Sequence, residues 1–378
     1  MSISRTTWGT PDEFVPPTRE RRGRRYSRGV RRIAAAVLVA ALGAASATVL
    51  GAANAFAQAT AWKTAFVENP LLPPGFKQWE FPRTDGSRMT AFLAHRGHDG
   101  NVRKPLLVFL DGSGAQSLFV RQGDRLAVGM LAVIADQAGE AYHVVAAEKR
   151  GAVLGELGMP GSAQGASAEY QLHATCEDRA AEVQLLLKHL LDDPAVDPSR
   201  VVLVGHSEGA VVAAAVAALE PRVTHVAFLS GCGPSQFFDL MVLRRRAMQK
   251  AGRPADEIER AVAQLEENYR AILAEPESVD KTFMGHAYRR WASYGRYTAT
   301  DDLRRTACRL FLAHGTEDTS VSIESFDAMT TDLLRTGRRN VTVRRYAGRD
   351  HSLRAPDAAP QDPPMRNVLD EILSWAKE

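Results

Sequence analysis

Between Arg200 and Glu220 the chain reads RVVLVGHSEGAVVAAAVAALE, which sets Ser207 between Gly205 and Gly209 where an apolar run meets an alanine-rich one. When a strand leads into such a pentapeptide and a helix leads out, the glycines permit a turn too tight for a Cβ at either flank. The serine is then held at the turn's tip in a strained conformation, ahead of a helix amino terminus. A serine hydroxyl is a weak nucleophile at neutral pH. Acyl-transfer chemistry therefore needs a base, a group that orients the base, and donors for the developing oxyanion.

Later stretches supply the first two. FLAHGTEDTSV ends an apolar run and places Asp318 three residues beyond Gly315; YAGRDHSL follows the next run and offers His351. Glu317 beside Asp318 is a rival acid, and Asp239, after the preceding run, a more distant one. Asp350 reads as a residue that shapes the turn before His351. His206 and His314 read as structural histidines, and Arg150 in EKRG as half of a salt bridge bracing a loop. The side chain of Glu208 has two readings, toward a pocket or toward solvent. A second cluster, FMGHAYRRWASYGRY, carries Tyr288, Trp291 and Tyr294 at helical spacing, which fits either packing or a substrate cleft.

The elements that must position these residues follow from hydrophobic periodicity. FKQWEF and RMTAFLAH alternate apolar and polar residues around the turn signal TDGS, as a hairpin does. KPLLVFLDGSG, YHVVAAEKRG, SRVVLVG, VTHVAFLSG, CRLFLAHG and NVTVRRY are apolar runs suited to strands, the continuous ones to strands buried on both faces. Arg125 to Ala138 reads as one helix, RAAEVQLLLKHLL as another, and RNVLDEILSWAKE as a closing amphipathic helix. Repeated strand–helix alternation predicts an α/β fold, a mostly parallel sheet sandwiched by helices. Residues from about 234 to 300 break the rhythm with a helical pattern longer than one crossover needs, and read as a helical cap inserted between two core strands.

The order Ser207, Asp318, His351 on such a scaffold resembles the α/β-hydrolase fold family, over about residues 76–378. The resemblance implies that Ser207 attacks an acyl carbon, that His351 accepts and returns its proton, and that Asp318 fixes the imidazole. It also implies oxyanion donors at the backbone N–H groups of Glu208 and of Ser113, the latter in FLDGSGAQS, where Asp111 stands in place of the histidine common in the family. The expected activity is hydrolysis of a carboxylic ester, thioester or amide of a small ester or peptide-like substrate, with no cofactor. A peptidase or acyltransferase of the same fold, or a non-catalytic envelope binding protein, are the alternatives.

Composition bounds the partners. The 378 residues carry a net charge of only +3, with many arginines gathered near the amino terminus, so a nucleic-acid partner is poorly supported. Residues 1–57 comprise a basic segment followed by an uncharged apolar run from Ile33 to Ala57. This predicts an export signal cleaved near Ala57 or a membrane anchor, with the body, 58–378, outside the cytoplasm either way. Cys176, Cys232 and Cys308 are widely spaced and form no metal-ligand pattern, so no metal is expected.

Overall fold

Apolar residues in consecutive pairs along the central strands divide between two faces, and that division organises the molecule. A computed structural model describes residues 66–94, 102–158, 161–359, 362–363 and 365–378; the expected export signal or anchor lies outside the described residues. The described residues open with an antiparallel meander, β1 (Phe66–Val67), β2 (Phe76–Pro82) and β3 (Arg88–Ala94), whose β2–β3 pairing sets Trp79 opposite Ala91. There follow β4 (Lys104–Leu110), a small hairpin of β5 (Phe119–Gln122) and β6 (Arg125–Val128), helix α1 (Met130–Ala138) and β7 (His143–Ala147). Helices α2 (Ala168–His173) and α3 (Cys176–Leu190) lead to β8 (Val196–His206), α4 (Glu208–Leu219) and β9 (His225–Leu229).

The stretch after β9 holds α5 (Gln236–Lys250), α6 (Ala255–Ala274), a hairpin of β10 (Thr282–Phe283) and β11 (His286–Ala287), α7 (Tyr288–Arg296) and α8 (Ala299–Arg305). The chain then finishes with β12 (Arg309–Gly315), α9 (Ile323–Arg335), β13 (Val341–Tyr346) and α10 (Arg366–Trp375).

Among the described residues nine strands form one sheet, in the order β1-β2-β3-β7-β4-β8-β9-β12-β13. From β7 to β13 neighbouring strands pair in parallel, and β3 joins β7 antiparallel. Leu106, Val108, Val201, Leu203, Leu310 and Leu312 enter the core on one face with α3, α4 and α9. Their chain neighbours Leu107, Phe109, Val202, Val204, Phe311 and Ala313 enter the other, with α1 and α10. Side-chain alternation thus buries both faces, each large apolar side chain contributing about 1.5–3 kcal/mol.

Two sequence expectations change. The helix expected over Arg125–Ala138 is split: Arg125–Val128 pairs with Phe119–Gln122, and the helix begins only after Gly129. The strand half is four residues long, too short for its alternation to stand out from a helical run. Within 234–300 the helical pattern is interrupted by β10 and β11, two residues each, which periodicity does not register. Among the described residues no helix is long and apolar enough to cross a membrane. The three cysteines are buried and free.

Candidate active site

Parallel strands deliver their following loops to one edge, so residues far apart in sequence converge beyond the carboxyl ends of β4, β8, β9, β12 and β13. Between β8 and α4, Ser207 adopts φ 57° and ψ −123°, a costly conformation for a residue with a Cβ. Both flanking glycines are obligatory. A Cβ on Gly205 would stand 2.4 Å from the Gly209 carbonyl oxygen, and one on Gly209 would stand 2.2 Å from that of Leu110. Helix α4 is buried from Glu208 through Ala217; its alanines and valines let it lie close against the sheet, which fixes the turn at its head.

The Ser207 hydroxyl donates to His351 Nε2 at 3.0 Å, and His351 Nδ1 donates to Asp318 Oδ2 at 2.8 Å. Asp318 Oδ1 accepts from the Ser320 and Val321 amides at 2.8 and 2.9 Å. Burial works to raise the Asp318 pKa, yet the His351 bond and charge and the Val321 amide hold it below the ordinary carboxylate value. The loops carrying Asp318 and His351 are stitched together. A Cβ on Gly315 would lie 2.3 Å from the Arg349 carbonyl oxygen, and the Glu317 amide donates to that oxygen at 3.0 Å. His206, inside the turn, donates from Nε2 to the carbonyl of His351 at 2.9 Å. Burial, then the neighbouring His351, pushes the His206 pKa down to about 4, so the ring is a neutral brace.

The rival acids are placed elsewhere. Glu317 is exposed. Asp239, on α5, is buried and accepts from the Ser322 amide and hydroxyl, each at 2.8 Å, and from the Ser325 hydroxyl at 3.3 Å. It anchors the loop between Asp318 and α9. Burial raises its pKa to about 7 despite those donors. In the unfolded chain Asp239 ionises near 3.8, so between about pH 4 and 7 the unfolded state holds fewer protons and stability falls as pH rises. Glu148, raised to about 7 by burial, acts in the same direction. Asp239→Asn is expected to flatten this decline by a few kcal/mol while Glu148 retains its share. Urea denaturation of both proteins at pH 4.5 and 7.5 measures it; parallel losses in the two would disprove the assignment.

Beside Ser207, a Cβ on Gly112 would sit 3.3 Å from the Ser207 Cβ and 3.7 Å from Oγ, so the chain leading to Ser113 passes directly against the hydroxyl. Ser113, Glu208, Ser207 and His351 line one cavity of about 580 Å³. The Glu208 side chain is buried, not solvent-facing. It accepts from Arg179 Nη1 at 2.7 Å and from Arg290 Nε at 3.0 Å, with a further bond from Arg290 Nη2. Arg179 also bonds Asp111 at 3.0 Å, and Lys149 reaches the other Asp111 oxygen at 2.6 Å and the Gly112 carbonyl at 3.1 Å. Burial alone would raise the Glu208 pKa, but Arg290 and Arg179 hold it down at about 2. A ladder of charges thus braces the segment before Ser113 and the head of α4.

Of the three aromatic candidates, Trp291 lines the cavity. Tyr288 packs in the cap's own apolar cluster, and Tyr294 is buried in the main core beneath Arg290. Around the helix axis Trp291 lies midway between the two tyrosines, about 60° from each, so the tyrosines turn to packing on either side of it. Asp350 accepts from the Ser352 and Arg354 amides, shaping the turn before His351. His314 bonds the Val321 carbonyl at 3.1 Å. Arg150 pairs with Asp85 and Glu169, away from this cavity.

Arg290, Arg179, Lys149 and His286 are cavity or ladder residues that the sequence reading did not single out. One signal existed: Glu208 is the only charge in a helix otherwise made of Gly, Ala, Val and Leu. A buried carboxylate requires buried cations.

Comparison with known proteins agrees with this architecture. No curated protein sequence matches the chain. Among solved structures, the alpha/beta hydrolase GrgF from a Penicillium species superposes with a TM-score of 0.52 at 15% identity, covering 80% of this chain and 98% of that one. A candidate dipeptidyl aminopeptidase IV from Bacteroides ovatus gives 0.54 at 11% identity, and the Pyrococcus horikoshii acylaminoacyl peptidase 0.52 at 13%. Those two cover 80% and 81% of this chain, which spans only 35% and 42% of theirs. At such identities the likeness is one of fold. A family model, the alpha/beta hydrolase family, matches residues 126–362. With that match spanning the turn at Ser207 and the loops of Asp318 and His351, the chain belongs to the alpha/beta hydrolase family.

Proposed function

We propose that the protein is a serine hydrolase that cleaves carboxylic esters through an acyl-enzyme on Ser207. The observation that carries this reading is the continuous hydrogen-bond chain from Ser207 Oγ through His351 to Asp318. With Nδ1–H committed to Asp318, Nε2 presents a lone pair to the hydroxyl, the tautomer a general base requires. As Oγ bonds the acyl carbon, its proton passes to Nε2, and the carbonyl oxygen becomes an oxyanion received by the amides of Glu208 and Ser113. Collapse breaks the bond to the leaving alkoxide, which takes the proton from His351. Water, deprotonated by the same nitrogen, then releases the acid and restores Ser207. Esters are favoured over amides because an alkoxide leaves more readily than an amine.

Labelling with a fluorophosphonate tests the nucleophile. Wild-type protein is expected to be covalently modified at Ser207 and the folded Ser207→Ala protein not at all. Absence of labelling in folded wild type defeats the enzyme reading; equal labelling of both defeats the assignment of Ser207.

A further inference from the structure

A second cavity adjoins the one at Ser207, on the side away from the cap. Its volume is about 280 Å³, and it shares four wall residues, Gly112, Gln116, His206 and Ser352, with the cavity of the nucleophile. Gly112 lies against Ser207 itself, since a Cβ there would stand 3.3 Å from the serine Cβ. The second cavity therefore begins beside the reacting hydroxyl, and no side chain at 112 closes the way into it.

Three elements diverge to leave this space. β4 ends at Leu110, the β5–β6 hairpin occupies Phe119 to Val128, and α1 starts at Met130. Leu118 and Met130 are only half-buried, so they offer apolar surface to the cavity, with Phe109 and Met365 behind them. Leu157 stands on the rim, 71% exposed. The loop that carries it is pinned to the hairpin: the Gly155 amide donates to the Phe119 carbonyl at 3.1 Å, and the Gly155 carbonyl accepts from the Arg121 amide at 2.9 Å. The wall is thus in place before anything binds.

Polar residues of this wall have their polar atoms engaged elsewhere. The Asp111 carboxylate holds Arg179 and Lys149, the Ser117 hydroxyl donates to Glu148 at 2.6 Å, and His206 Nε2 donates to the His351 carbonyl. Gln116 and Ser352 stand at the junction with the Ser207 cavity. The polar end of the space is therefore the end next to the nucleophile, and away from it the surface is apolar. A charged or strongly hydrated group placed there would give up its water with no partner in exchange. A hydrocarbon chain loses nothing and gains from burial.

We infer that the second cavity is a subsite for a hydrocarbon chain of the substrate, so that the preferred esters carry a medium-length chain rather than a short one. A methylene group takes about the room of a water molecule, about 30 Å³, and the cavity then holds a chain of up to about nine carbons. This inference rests on Ser207 being the nucleophile of an ester hydrolase.

Two ester series test it, with kcat/KM followed by acid release below the concentration at which the esters aggregate. One runs from acetate to dodecanoate on a single short alcohol, the other from ethyl to dodecyl acetate. In one of them kcat/KM is expected to rise about threefold per added methylene until the cavity is full, and then to level off. The steeper series tells whether the chain belongs to the acid or the alcohol half. Leu157→Asp sets a carboxylate on the exposed rim, where the fold does not depend on the side chain, and should cut the ratio of eight-carbon to two-carbon rates about tenfold. Met130→Trp fills part of the space and should move the levelling off to shorter chains. Flat or falling rates in both series overturn the subsite. A rise that the folded Leu157→Asp protein keeps in full overturns this cavity as the place of the chain, whether or not Met130→Trp folds. No turnover of any ester instead overturns the ester-hydrolase reading, and the subsite with it.

Discussion

His351→Ala is expected to lower kcat by about 10⁶-fold, the scale on which loss of the base costs as much as loss of the whole triad. Without Nε2 nothing within reach accepts the Ser207 proton: His206 is already bonded to the His351 carbonyl, and His314 to that of Val321. Folding should survive. The His351 side chain is 24% exposed, and Asp318 keeps its amide bonds from Ser320 and Val321. Asp318→Asn should cost less, about 10⁴-fold, because the base remains but its tautomer is no longer enforced. Steady-state kinetics on a p-nitrophenyl ester, with thermal melting as the control for folding, separate the outcomes. If Glu317→Gln proves the more damaging change, the acid has been assigned wrongly.

The largest effect on stability is expected at Glu208. Glu208→Ala leaves Arg290 buried without a counter-charge and Arg179 with Asp111 alone, and breaking a buried pair in this way costs about 3–5 kcal/mol. The backbone amide of residue 208 persists in the variant, so the loss should appear first in the urea midpoint. Arg290→Met alone should destabilise similarly, because it removes one of the two cations from a carboxylate that is 4% exposed. Combining Arg290→Met with Glu208→Leu should recover much of the loss, since apolar replacement of a whole buried pair is often neutral. A double variant whose loss is strictly the sum of those of Arg290→Met and Glu208→Leu measured singly would show that the two side chains are not coupled. The pH dependence has a definite sign. Glu208 ionises at about 2 when folded against an ordinary 4.5, so its contribution is complete above about 4.5 and is lost as pH falls toward 2.

Much of the architecture can be read from the chain because strands buried on both faces leave continuous apolar runs, and three of these, β4, β8 and β12, lead into the loops of Ser113, Ser207 and Asp318. Asp318 is preferred over Glu317 only through the resemblance to the alpha/beta hydrolases, where the aspartate three residues beyond such a glycine is the usual acid; the structure separates the two by burial, one inside and one exposed. What escaped was of two kinds. The β5–β6 and β10–β11 hairpins are too short to establish a period. Arg179, Lys149, Arg290 and His286 come from elements far apart in sequence, and no local pattern announces that a charge on one helix will meet a charge on another. Tyr288 and Tyr294 show the converse: aromatic spacing that suggested a cleft is satisfied by packing.

The lacing of the Gly315 and Arg349 loops, with His206 reaching to His351, means that no residue of α5, α6 or α7 belongs to the reacting chain of hydrogen bonds. The cap instead contributes Gln236, Leu240, Arg290 and Trp291 to the cavity wall, beside core-loop residues such as Gly112, Ser113 and Val321. A cap rebuilt for a new substrate would have to meet two demands: bring its own cation to Glu208, and replace Asp239 as acceptor for the Ser322 amide and hydroxyl that hold the loop after Asp318.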